Sequence, residues 1–162
     1  LYVIVLFLHV SSAIAMIAGL IGRELTRRQA RKSGDIDTLV ALMGASGPFE
    51  SRLVIPGSMA MLVFGVILAV MGGWPLFGIL QGADANWLFV SVLLTAATFP
   101  LIAFVFLPRG KVYKAALSEA VSRGQVTGAL TAAFDDNAVR IGHIVEAALV
   151  GLVLFLMIAK PF

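Results

Sequence analysis

Four long apolar runs alternate with stretches that carry most of the positive charge, and this alternation constrains the fold more than any motif. The runs cover residues 1–22, 53–73, 87–107 and 139–159. Each is close to the ~20 residues that an α-helix needs to cross ~30 Å of hydrocarbon. A chain that is 60% hydrophobic and 13% charged has too much apolar surface for a soluble domain of 162 residues. The sequence predicts an all-α membrane protein, a four-helix transmembrane bundle forming a single domain over residues 1–162.

The distribution of basic residues predicts the orientation of these spans. Eleven of the twelve Lys and Arg residues lie within residues 22–52 and 107–140, and the connection from 73 to 86 has none. Cytoplasmic loops of membrane proteins are enriched in Lys and Arg. We therefore expect loops 23–52 and 108–138 in the cytoplasm and both termini on the outer, periplasmic side.

Composition also narrows the chemistry. The chain has no cysteine, which excludes disulfides, thiolate catalysis, zinc–thiolate sites and iron–sulfur clusters. Its net charge of +3 is explained by basic cytoplasmic loops, and no nucleic-acid partner is predicted.

Local signals predict helical structure around the spans. The first helix is expected to continue past the membrane surface to Arg31. Asp37 is expected to cap a short helix that ends at Gly44. Pro100 should kink the third span. Asp135, Asp136 and Asn137 suit the N-cap of the fourth span and the positive end of its dipole.

Small residues recur at about every fourth position in three spans. The rows are Ser11, Ala15 and Gly19 in the first span, Gly57, Gly65, Ala69 and Gly73 in the second, and Ala147 and Gly151 in the fourth. Such rows let helix backbones approach closely, which favours helix association in lipid. They predict packing within the bundle or, alternatively, contact with a second copy or another membrane subunit.

The spans contain few residues that could perform chemistry. An ionisable side chain inside a membrane is costly and is a functional candidate by default. His143 and Glu146 are i,i+3 neighbours near the cytoplasmic end of the fourth span, and Asp136 and Arg140 form an i,i+4 pair before them. We predict a neutralised polar cluster of Glu50, Arg52, Arg140, His143 and Glu146. Its role is structural ion pairing or, alternatively, proton handling or ligand binding at Glu146.

His9 is the remaining candidate. A haem held between His9 and His143 is disfavoured, because the two residues are offset by about 15 Å along the bundle at the α-helical rise. His9 could ligate haem alone, or form an interhelical hydrogen bond to Thr95 or Thr98. A di-iron site would need two Glu-x-x-His units. The chain has one His143-x-x-Glu146 in the reverse order, so no metal site is predicted.

Three segments carry a family resemblance. They are Leu8-His9-Val10 with Gly19-Leu20, then Ile55-Pro56-Gly57, and the closing Leu156-Met157-Ile158-Ala159-Lys160-Pro161. Together they resemble an uncharacterised bacterial family of four-helix integral membrane proteins with a Leu-Met-x-x-Lys-Pro ending. The resemblance covers nearly the whole chain. It implies a four-span, multi-pass protein of the bacterial inner membrane and implies no activity.

The chain also has a more distant likeness to the copper-resistance D-type and HemJ-type membrane proteins. The shared features are an early histidine, here His9, then Gly19-Leu20 and a basic exit from the first span. In the HemJ type the matching histidine is linked to haem. The present chain departs from these proteins in having no Lys or His in its third span and no Met/His-rich copper path.

Two functional hypotheses follow. The first is a non-catalytic integral membrane protein without a cofactor, an accessory or assembly subunit. Its partners are membrane lipids and either a larger membrane complex or further copies of itself. The alternative is a haem- or quinone-associated membrane redox protein using His9, with haem b as the cofactor.

Overall fold

The computed structural model describes residues 1–84 and 86–161, and all regular structure among them is helical. We name the helices α1 (Tyr2–Lys32), α2 (Ile36–Met71), α3 (Trp87–Arg123), α4 (Gly128–Phe134) and α5 (Asn137–Ala159). A 3₁₀ turn covers Gly78–Gln81. Among the described residues, α1, α2, α3 and the stretch Gly128–Ala159 are each long and apolar enough to cross a membrane. The prediction of four apolar spans in an all-α protein is confirmed.

The helices are much longer than the spans. The first three have 31, 36 and 37 residues, which is about 45–55 Å at the α-helical rise and more than the ~30 Å of hydrocarbon. The expected continuation of the first helix through Arg31 is confirmed, since α1 ends at Lys32. The expected short helix capped by Asp37 is wrong: Asp35 caps α2, its carboxylate accepting from the Thr38 amide at 2.8 Å. The helix continues through Gly44 rather than ending there.

Two prolines are each followed by a π-helical segment. In α2, Phe49–Val54 is π-helical directly after Pro48, and in α3 the segment Leu101–Phe106 follows Pro100. Pro56 and Pro108 each follow a π segment by two residues. Because proline has no N–H, the carbonyl four residues before each of them, which lies inside the segment, lacks its α-helical donor. A π turn accommodates this loss without ending the helix. At Pro100 the helix continues into a π-helical segment, and the kink expected there stays a prediction.

The described chain divides into two compact units, Leu1–Gly73 with Ala120–Val126, and Trp74–Glu119 with Thr127–Phe162. In the first unit, glycines let α1 and α2 approach each other closely. A Cβ on Gly57 would lie 2.9 Å from the Met16 backbone nitrogen and 3.0 Å from the Ser12 carbonyl. On α1, a Cβ on Gly19 would lie 2.8 Å from the Leu53 Cβ and 2.8 Å from the Val54 Cγ2. Gly19 and Gly57 of the two small-residue rows therefore pack within the unit, whereas among the described residues nothing lies within 4 Å of a Cβ added to Gly73.

In the second unit, α5 packs on α3 and its π segment. A Cβ on Gly142 would lie 2.9 Å from the Phe106 ring, so the ring can pack this closely only because residue 142 has no side chain. Beyond the span, Tyr113 meets Phe134 edge to face, with ring centroids 5.3 Å apart. This contact joins the extension of α3 to α4.

The close approach of α1 and α2 gives a direct test. Gly57→Ala must push a methyl group against the α1 backbone, which cannot rotate away as a side chain would. We expect a loss of about 1–3 kcal/mol and a lower Tm, measured by thermal unfolding in detergent. Gly44→Ala is the matched control, because nothing in its unit lies within 4 Å of its added methyl group. The control should be neutral or more stable, since alanine favours helix. Equal melting temperatures for the two variants would contradict a tight backbone contact at Gly57.

Candidate functional site

His9 is held by the main chain of the neighbouring helix. Its Nδ1 lies 2.9 Å from the Met61 carbonyl oxygen, and its ring lies over Gly65, where a Cβ would be 3.1 Å from the ring Cε1. The expected interhelical hydrogen bond of His9 is present, and its partner is this main-chain carbonyl. Thr95 donates to the Ser91 carbonyl and Thr98 to the Thr95 carbonyl, both within α3. The bond to Met61 joins α1 to α2.

This bond fixes the chemistry of the imidazole. A carbonyl oxygen only accepts, so Nδ1 must carry the proton. In a neutral ring the lone pair is then on Nε2. A histidine that donates one ring N–H to a carbonyl and presents its other nitrogen has the arrangement of most metal-ligating histidines. The same bond satisfies a polar side chain that would otherwise be unpaired in lipid.

A second polar contact ties α1 to α2 below the span. Arg23 Nη1 lies 2.6 Å from Glu50 Oε2, with the arginine side chain 19% exposed and the glutamate 41% exposed. Beside this pair, Gly22 lies against the Phe49 ring, which a Cβ would contact at 2.5 Å. The predicted cluster member Glu50 therefore has Arg23 as a partner, while Arg52 is exposed.

His143 and Glu146 do come together on α5. His143 Nδ1 lies 3.2 Å from Glu146 Oε2, and the two side chains are 20% and 17% exposed. The imidazole stacks on the Phe106 ring of α3, with centroids 4.6 Å apart and planes inclined by 21°. This contact brings the only carboxylate well inside a span next to an imidazole that an aromatic ring holds in place.

Asp136 has a different partner from the one predicted. Its carboxylate lies 2.8 Å from Arg109 Nε on α3, and it also accepts from the Ala138 and Val139 amides. The expected N-cap at Asp136 is confirmed, whereas the expected ion pair with Arg140 is wrong. Burial opposes ionisation of this carboxyl, but the two amides and the Arg109 guanidinium outweigh it and lower the pKa of Asp136.

The predicted five-residue cluster as a whole stays a prediction. Glu50 and Arg52 belong to the first unit, and Arg140, His143 and Glu146 belong to the second. Arg140 is exposed. In the described part of the chain, no three His, Asp or Glu side chains lie close enough together to hold a metal ion.

Sequence reasoning missed one cluster, at the other end of the spans. The Lys160 ammonium lies 5.1 Å from the centroid of the Trp74 ring and 5.2 Å from that of Trp87. The two rings meet edge to face, 5.5 Å apart. The available signal was positional: Trp74 follows the second span, Trp87 begins the third and Lys160 ends the fourth, so a four-span topology brings all three to one membrane surface.

Apolar helices of spanning length, with polar side chains tied to main-chain carbonyls or to one another, define a multi-pass helical integral membrane protein. The family described as "Predicted integral membrane protein (DUF2269)" matches residues 3–161. The chain belongs to that family, and the predicted resemblance to a family of integral membrane proteins is confirmed. No curated protein and no solved structure matches the chain.

Proposed function

We propose that the chain is a non-catalytic membrane subunit that packs through α5 against a larger membrane complex or a second copy of itself. The observation that carries this proposal is the exposed small-residue face of α5. Ala147 and Gly151 are both exposed, and no atom of their unit lies within 4 Å of a Cβ added to Gly151. Small residues on an open helix face allow another helix to approach closely.

The polar side chains of the spans support a structural role. His9 donates to a carbonyl of α2. Ser12, Ser91 and Thr95 donate to carbonyls one turn earlier in their own helices. Each bond satisfies a polar group that lipid would leave unpaired. These groups therefore stabilise the helices that carry them.

Cysteine cross-linking tests the subunit proposal, because the chain contains no cysteine of its own. Gly151→Cys should cross-link under mild oxidation in native membranes, to a second copy if the protein self-associates. A complex with another subunit should instead appear as a larger species on a native gel, and Gly151→Leu should disrupt it.

Leu152→Cys is the matched control. Leu152 is 50% exposed and lies about 100° further around the same helix. We expect its cross-linking yield to be several-fold lower than that of Gly151→Cys. Equal yields would indicate random collision. A monomeric species in mild detergent that Gly151→Leu leaves unchanged would refute the subunit proposal.

We further propose that both basic stretches face the cytoplasm of a bacterial inner membrane, with both termini outside. The distribution of Lys and Arg supports this orientation. Single cysteines at Ser33 and Ser122 should be protected from an impermeant thiol reagent in intact cells. A cysteine at Gln81, which is exposed, should react. Labelling at Ser33 with protection at Gln81 would establish the opposite orientation.

A second candidate is a haem- or quinone-associated redox protein using His9. It is favoured by the hydrogen bond from Nδ1 to the Met61 carbonyl, which leaves Nε2 with its lone pair. Gly65 provides the space that the ring occupies. His9 would hold haem b, which would supply one-electron transfer, and Met61 would orient the imidazole ring through its carbonyl.

Visible spectroscopy of the purified protein separates the two candidates. A redox protein of the haem type should show a Soret band that shifts with dithionite and is lost in His9→Ala. His143→Ala, which removes the other histidine, should retain the band. A protein from haem-supplemented cells with no Soret band, or one whose band survives in His9→Ala, would refute haem ligation by His9. Solvent extraction of the same sample measures bound quinone, which His9→Ala should reduce if His9 binds it.

A further inference from the structure

The cluster of Lys160, Trp74 and Trp87 combines a cation with two indole rings in one unit. The Lys160 ammonium is 5.1 and 5.2 Å from the two ring centroids, within the range of cation–π attraction. Trp87 is buried, Trp74 is 40% exposed and Lys160 is exposed. The cluster is therefore held in place by one ring and remains open on its other side.

Lys160 has an unusual backbone conformation for a lysine. Lys160 is the C-cap of α5, with φ 44° and ψ 56° in the left-handed region. Among the described non-glycine residues it alone has positive φ. That conformation is disfavoured for residues with a Cβ, and glycine is the usual residue there. Lysine at this position brings its ammonium to the two rings.

The cluster has hydrogen-bond donors and lacks an acceptor. A lysine ammonium has three N–H groups and each indole has one, and none of these groups accepts. In the described part of the chain, none of the three side chains forms a hydrogen bond or an ion pair. The rings and the carboxyl end of α5 attract the positive charge, but among the described residues no group accepts a hydrogen bond from these N–H groups.

The position of the cluster at the ends of the spans indicates which kind of acceptor could bind to it. Tryptophan and lysine at the ends of spans lie at the level of the lipid headgroups. The group at that level with a negative charge and several acceptor oxygens is phosphate. We propose that Lys160, Trp74 and Trp87 bind the phosphate of an anionic membrane lipid. A zwitterionic lipid is bound less well, because its own cationic group is repelled by Lys160.

Inorganic phosphate offers the same chemistry as a lipid phosphate, so the experiment must distinguish the two. The chain contains only two tryptophans, and both belong to this cluster. Tryptophan fluorescence, excited at a wavelength that the tyrosines do not absorb, therefore reports on this site alone. Brominated acyl chains quench a tryptophan that they touch, so quenching measures which lipid lies against the cluster.

The protein is reconstituted into vesicles with equal fractions of brominated phosphatidylglycerol or brominated phosphatidylcholine. We expect about fivefold preferential association of the anionic lipid, the size expected for one lysine at a membrane surface. Lys160→Met should lose this preference and Lys160→Arg should retain it. Lys114→Met, in the other basic region, should behave as wild type. Circular dichroism checks that each variant is folded.

The proposal would be overturned by equal quenching by the two lipids in the wild-type protein, or by an unchanged preference in Lys160→Met. The three side chains would then have a structural role only. If Lys160→Met does not fold, Lys160→Gln removes the charge and keeps a polar side chain, with both tryptophans left as reporters. It should lose the preference, and no change would overturn the proposal. Inorganic phosphate added in detergent should not alter the emission. A Lys160-dependent response to it without any lipid preference would assign the site to soluble phosphate and overturn the lipid source.

Discussion

The structure depends on the need to satisfy every backbone polar group without water. In hydrocarbon an unpaired N–H or C=O costs several kcal/mol, so each span forms a helix that pairs its own backbone. Side-chain hydroxyls follow the same constraint: in the spans, Ser12, Ser91 and Thr95 donate to carbonyls four residues earlier. Even at the prolines, the chain widens its helical turn rather than breaking the helix. Interactions between helices therefore depend on shape, and glycine determines where backbones approach most closely.

The sequence predicted the spans well because length and apolar character alone determine them. It predicted the regions between them poorly, because the polar residues after Lys32 and Gly44 are compatible with either loop or helix. The structure extends the helices through most of both basic regions. The partners of charged and polar side chains were also hard to predict. His9 bonds a main-chain carbonyl, which has no signature in sequence, and Asp136 pairs with Arg109 on another helix rather than with Arg140 one turn away.

In each unit the helices are joined by an ion pair and by an aromatic ring packed on a glycine. In the first, Arg23 pairs with Glu50 beside the packing of Phe49 on Gly22. In the second, Arg109 pairs with Asp136 near the packing of Phe106 on Gly142. The partners in each ion pair are 27 residues apart along the chain. Such half-exposed pairs contribute little to stability individually. We infer that these ion pairs fix the axial register of the two helices, which apolar contacts alone would not determine.

The π segment in α2 affects the length over which α1 and α2 remain in contact. Phe49, Leu53, Gly57, Met61 and Gly65 all face α1, at every fourth position. In a regular α-helix of about 3.6 residues per turn, four residues overshoot one turn by about 40°, so such a row winds away from its neighbour. A π turn holds more residues, and the row at Phe49–Val54 stays closer to a single line. The wider turn after Pro48 thus offsets the rotation of this row around α2. The same side of α2 can therefore contact α1 all the way from the ion pair at Glu50 to the imidazole of His9.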